Sequence, residues 1–250
     1  MQLQDILYTQ GFGTRRVCCG LVQQGLVALG DAAQVVRDPL LDIEPEGLVF
    51  HVQGQRWQYQ AHAYLMLHKP TGFECSQKPG NWPSVYTLLP GPLRSRPSGA
   101  ASGVQAVGRL DQDTTGLLLL SDDGRFIHRL SSPKHHVPKV YDVTCKHPLT
   151  EAQLQRLLAG VVLDDDPQPV RAAAVEALDA HRLRLTLTQG KYHQVKRMVA
   201  AVSNRVEALH RATIGEVVLP PDLAPGQWRW LTPAEVDGLM GRAPRSGQAV

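Results

Sequence analysis

Two short segments concentrate the residues that could do chemistry. The first, GRLDQDTTGLLLLSDDG, runs from Gly108 to Gly124 and sets Asp111, Asp113 and Asp122 around four consecutive leucines. Asp111, Asp113, Thr115, Gly116, Leu118 and Asp122 fall at the spacing of an EF-hand calcium loop. Three features oppose calcium. The last ligand position holds Asp rather than the bidentate Glu, the leucines read as a buried strand, and no amphipathic helix leads in from Val104. Two readings of the turn remain: its acids are simply solvated before a core strand, or one of them is a buried catalytic carboxylate on a rigid turn. Asp111 is the candidate for that role, with Arg109, Leu110 and the rest of the turn to hold it.

The second segment, GKYHQVKRM, crowds Lys191, His193, Lys196 and Arg197 into the start of a helix. The plain reading is a solvated basic face. Because a helix N-terminus adds partial positive charge, the same residues also suit a phosphate or carboxylate. His135, His136, Cys145 and His147 match no common zinc spacing. His135 and His136, beside Lys134 and Lys139, read instead as partly cationic surface facing phosphates. No Walker lysine, GxSxG or HExxH motif is present, and Gly11 with Gly13 is no dinucleotide fingerprint.

The elements that must position these residues are irregularly interleaved strands and helices, which favours an α+β fold. Leu3, Ile6 and Leu7 give a helical stripe, and Thr14 can cap a second helix through Val17 to Gln24. β-prone pieces follow at Leu26–Leu29, Val35–Val36 and Leu48–Val52, and the polar stretch from Gln53 to Ala63 reads as a linker. Beyond it the pattern predicts strands at Tyr64–Leu67, Leu117–Leu120, Val140–Thr144, Arg171–Leu178, Leu183–Leu187, Val206–Leu209 and Glu216–Leu219. Helices are expected at Gly124–Leu130, Glu151–Leu158 and His193–Val202, with a last one after Thr232. The stretch 90–103, rich in Pro, Gly, Ser and Ala, reads as a mobile loop, and 241–250 as a disordered tail.

Length and composition set the outer bounds. With 250 residues, 43% of them hydrophobic and 20% charged, the chain is long enough for two domains with packed cores. No apolar run reaches membrane length, and the N-terminus shows no signal-peptide stretch, so a soluble cytoplasmic protein is expected. Four scattered cysteines make no disulfide framework. The net charge of +3 is unevenly spread: residues 1–60 hold four bases and six acids, the remainder 22 and 17. A polyanion should therefore meet mainly the larger part, with a local basic spot at Arg15 and Arg16.

Taken together, GRLDQDTTGLLLLSDDG, PKVYDV, GKYHQVKRM, ALHRATIG, MLHKPTGFECS and DLAPGQWRWLTPAE resemble the bacterial ribosomal RNA pseudouridine synthases of the RsuA group. The likeness runs from Leu3 to about Met240. The opening GFGTRR…LVQQGLVALGD…RDP is similar to an S4 RNA-binding module, although LQDI stands where that module usually begins Arg-Leu-Asp-Lys. The resemblance implies an S4-like module at 1–60 and, at 61–240, a catalytic domain with a mixed, mostly antiparallel central sheet flanked by helices. It implies Asp111 as catalytic aspartate, Tyr141 packing on the target base, Lys196 pairing with the aspartate, Leu209 lining the pocket, and Arg109 helping to displace the base. Arg15, Arg16, Lys191, His193 and Arg197 are the expected RNA contacts.

The activity that this resemblance implies is uridine isomerisation in ribosomal RNA, without cofactor or metal, by a monomer acting on RNA or on the assembling small subunit. Lys196 rather than arginine in HQVK favours 16S over 23S rRNA. A large-subunit synthase and an inactive RNA-binding assembly factor are the alternatives. Three roles stay open for the carboxylate: attack at C1′, addition at C6, or removal of a proton at C2′.

Overall fold

Helix Arg15–Gln23 begins where Thr14 accepts a hydrogen bond from the Val17 amide, the capping interaction the sequence predicts. It packs beside helix Leu3–Thr9 over an antiparallel sheet whose strands lie in the order Gln34–Val36, Val27–Leu29, Val49–Val52, Gln55–Gln58. Leu3, Leu7, Cys18, Val22, Val27 and Phe50 form its core. The computed structural model describes residues 1–98, 101–164 and 166–242. It divides into two compact units, the first made of Met1–Ala63, Leu89–Gln105 and Ser121–Asp123, the second of the rest.

Two stretches of the first unit differ from the sequence reading. Part of the expected linker is the strand Gln55–Gln58, whose Trp57 packs edge-on to Phe12. A single apolar residue among polar ones gives almost no alternation to read. The expected mobile loop at 90–103 contains helix Gly91–Ser95 and a small hairpin of Pro97–Ser98 with Ala101–Ser102. Leu93 anchors it at 1% exposure, and Arg96, also buried, donates to Asp122, to Gln10 and to the carbonyls of Gln60 and Ala61. These partners of Arg96 lie far from it in sequence, so no local pattern reports them, and residues 99–100 of the expected loop lie outside the described residues.

In the second unit the central sheet follows the order Ala174–Ala177, Arg182–Leu187, Lys139–Cys145, Val206–Ile214, Thr115–Ser121, Tyr64–Lys69, Trp228–Trp230. Val206–Ile214 pairs in parallel with Thr115–Ser121, while its pairing with Lys139–Cys145 and that of Trp228–Trp230 with Tyr64–Lys69 are antiparallel. The unbroken leucines 117–120 are each fully buried, as expected of a central strand covered on both faces. Met66, Leu117, Leu119, Phe126, Leu130, Ile214 and Leu239 form one core there, to which helices Gly124–Ser131 and Pro233–Met240 contribute. The hairpin of Val161–Leu163 with Asp166–Val170 and the strand Trp228–Trp230 have no counterpart among the expected elements. Residues 243–250 of the expected tail lie outside the described residues. No helix among the described residues is long and apolar enough to cross a membrane.

Candidate active site

The turn carrying Asp111 is held from below by a lysine. Strand Tyr64–Lys69 ends with Lys69 fully buried, and its ammonium donates to the carbonyls of Pro70 (3.0 Å), Gln112 (3.2 Å) and Thr114 (2.9 Å). Burial lowers the pKa of Lys69. The Gly72 amide also donates to Gln112, and the Thr114 amide to the Asp111 carbonyl, which closes the turn. Leu110 is buried with its amide on Cys75 Sγ. Arg109, expected to help hold the aspartate, is exposed and makes no hydrogen bond or ion pair among the described residues. Lys69 is a residue of the site's framework that sequence reasoning missed; a lysine two residues after the apolar run YLML was the signal available.

Register then sets the opposite wall. Gly116 lies beside Arg211 in the parallel pairing, with φ +108°, and a Cβ there would collide with the Arg211 backbone. That close approach brings strand Val206–Ile214 against the aspartate turn. On its other side Tyr141 stands directly opposite Arg211, and Leu209 lies two residues from Arg211 on the same face. Tyr141, Leu209 and Arg211 are buried to 9%, 7% and 2% exposure and line one cleft with Asp111 and Lys196. Arg211 Nε donates to the Leu117 carbonyl, while its Nη2 is buried with no partner among the described residues.

Helix Gln194–Ala201 turns Val195, Met198 and Val199 inward, which leaves Lys196 on the cleft side. Lys196 Nζ lies 3.0 Å from Asp111 Oδ2 and 2.6 Å from Asp113 Oδ1, so it bridges both carboxylates. Burial pushes Lys196 down, but the two carboxylates more than reverse this and its pKa ends raised. Asp113 mirrors it: burial pushes it up, and bonding to Lys196 leaves it below the usual carboxylate range. His193, in left-handed backbone at φ 49°, puts Nε2 3.3 Å from Asp111 Oδ1. Its ring stacks on Tyr192.

The cleft has a volume of about 690 Å³. The structure therefore gathers Asp111, Tyr141, Lys196, Leu209, Arg109, Lys191 and His193 around it, and adds Asp113, Lys139 and Arg211. Arg197 turns one guanidinium nitrogen to the Tyr192 carbonyl. Arg15 is paired with Asp5 at 2.8 Å and lies over the Tyr8 ring, while Arg16 is exposed. His135 and His136 are exposed and are not among the cleft-lining residues. The calcium spacing does not assemble: Asp122 bonds Arg96 and the Ala63 amide, while Asp111 and Asp113 face Lys196.

The cleft thus sets a carboxylate held by a lysine and a histidine among an aromatic ring, an apolar wall and several cations, an arrangement chemically suited to a planar group carried on a polyanion. The family profile described as RNA pseudouridylate synthase matches residues 63–201. The chain belongs to this family and is an RNA pseudouridine synthase, an isomerase. It is 41% identical over 203 residues to the ribosomal small subunit pseudouridine synthase A of Yersinia pestis, covering 81% of this chain and 83% of the relative. To the protein of the same name from Escherichia coli K12 it is 38% identical over 236 residues, covering 94% and 99%. A solved pseudouridylate synthase structure superposes with a TM-score of 0.66 at 34% identity, over 96% of this chain and 99% of that one.

Proposed function

We propose that this protein converts one uridine of 16S ribosomal RNA to pseudouridine, with position 516 as the target, in the cytoplasm. The observation that carries the reading is the Asp111 carboxylate held by Lys196 and His193 beside the Tyr141–Leu209 wall. The relatives named for the small ribosomal subunit support the choice of RNA, as does lysine at position 196.

The reaction breaks the C1′–N1 bond, turns the uracil and joins C1′ to C5. The proton on C5 is lost and N1 gains one, so the sum is an isomerisation that needs neither redox partner nor cofactor. The uridine must first leave its stack, which costs a few kcal/mol. Tyr141 offers a replacement stacking surface and Leu209 an apolar edge. Asp111 acts at C1′, at C6 or at the C2′ proton; in each case it must work as an anion in a partly dry cleft. Lys196 lies 3.0 Å from it, and the Lys69-bound turn fixes where it points. Arg109, exposed and lining the cleft, helps to displace the base, and Lys191 meets phosphates. The first unit acts as the S4-like RNA-binding module, with Arg16 as a phosphate contact, and the enzyme works as a monomer on RNA or on the assembling subunit.

Mapping pseudouridines in ribosomal RNA from cells lacking the protein tests this. One modification should vanish from 16S rRNA and return with the intact gene. Loss from 23S rRNA instead would transfer the activity to the large subunit, and an unchanged map would reject both.

A further inference from the structure

Tyr192 does not belong, chemically, where it stands. It is the one aromatic residue in GKYHQVKRM, and at 67% exposure it is among the most exposed large apolar side chains of the described residues. One ring face is covered: the His193 imidazole stacks on it with centroids 3.8 Å apart and planes at 20°. His193 in turn reaches Asp111 through Nε2. Asp111, His193 and Tyr192 thus form a row from the carboxylate toward solvent, and all three line the same cleft. Lys191 stands on one side of Tyr192 in the chain, and Arg197 holds its carbonyl.

We propose that Tyr192, backed by His193, is the platform on which the unpaired base next to the target uridine stacks. This rests on the reading of the chain as a ribosomal RNA uridine isomerase. Drawing one nucleotide out of its stack uncovers the face of its neighbour, and an exposed ring at the rim of the cleft replaces the lost contact. Stacking on an aromatic ring is tolerant of base identity, and cations beside it suit the phosphates that accompany a base. Other occupants fit less well. A protein side chain would gain little from the surrounding positive charge, and a free phosphate has no use for the ring.

The test uses the full-length enzyme and three versions of one 16S rRNA fragment that carries the target: intact, abasic on the 5′ side of the uridine, and abasic on the 3′ side. Tyr192→Leu should lower kcat/KM on the intact fragment about tenfold, mostly through KM, which corresponds to about 1.4 kcal/mol. Tyr192→Phe should stay near the parent. On one of the abasic fragments the parent should lose a similar factor, and there Tyr192→Leu should add no further loss. A Tyr192→Leu enzyme at the parent rate, a loss that persists on both abasic fragments, or an equal loss in Tyr192→Phe would each overturn the proposal. Pseudouridine made by the parent on the intact fragment checks the underlying reading separately: its absence rejects the choice of RNA, whatever the variants do.

Discussion

The Lys69 ammonium lies 2.9 Å from the Thr114 carbonyl and so fastens the end of one strand to the turn that presents Asp111. With Gln112 as a second acceptor, the turn hangs from a single buried charge. Lys69→Met keeps most of the side-chain volume but takes the cation from both carbonyls and leaves Gln112 only the Gly72 amide, at about 1–3 kcal/mol for an acceptor left unpaired, partly offset because the cation no longer has to be desolvated. Loosening the turn by a fraction of an ångström should lower kcat about a hundredfold. RNA affinity should stay within about threefold, since Lys69 is out of reach of RNA. A parent-like kcat would show that the turn holds its shape unaided.

Asp111→Asn should abolish pseudouridine formation while RNA binding and the fold persist, because the amide is nearly isosteric but is neither nucleophile nor base. Asp113→Asn is the informative companion. Its carboxylate shares Lys196, so its loss should leave activity measurable but reduced, by roughly two- to tenfold, as Lys196 then rests on Asp111 alone. Single-turnover rates on the same RNA would separate the two, and a fully active Asp111→Asn would reject the assignment.

At Tyr141 the contrast lies between a ring and a hydroxyl. Tyr141→Phe should retain a substantial part of the rate and Tyr141→Leu far less, if the ring serves as a stacking surface. Equal losses would place the hydroxyl in a proton transfer instead.

Lys139 lines the cleft, and its pKa is pushed down to about 8 by burial and, secondarily, by Arg211. Below pH 8 it is protonated in folded and unfolded chains alike, and the folded state bears a constant penalty. Between about pH 8 and 10.5 the unfolded chain keeps a proton that the folded one has released, so this residue's contribution to stability rises with pH. Stability of Lys139→Met relative to the parent should therefore be greatest at neutral pH and decline toward pH 10. Urea unfolding at several pH values measures this, and a difference independent of pH would contradict the depressed value.

Much of the second unit was legible because one central strand is buried on both faces, others alternate buried and more exposed residues, and its helices carry one-sided stripes. Leu117–Leu120 and the Val195, Met198, Val199 face are examples in which local pattern and tertiary burial agree. Asp111 and Lys196 each stood out in their own segment, but their pairing was legible only through resemblance; nothing in their spacing of 85 residues says that they meet. The roles of Lys69 and Arg211 were hidden for a different reason. A buried lysine or arginine looks in sequence like any surface cation, and its burial is intelligible only once its carbonyl partners from remote parts of the chain are in place. Gln55–Gln58 and the 90–103 stretch escaped local reading because one apolar residue or one arginine fixes each of them from afar.

The first compact unit is assembled from three separate passes of the chain, and its last piece, Ser121–Asp123, supplies the partner of Arg96. A ribosome making this protein releases residues 1–63 well before that partner exists, so the N-terminal unit cannot be finished as an independent bead and must wait for about half the chain. The same dependence bears on engineering. Cutting at residue 60 would remove Gln10 and Gln60 from Arg96 and uncover the buried guanidinium together with its carboxylate. A substitution at the exposed Arg16 would leave these partners of Arg96 in place.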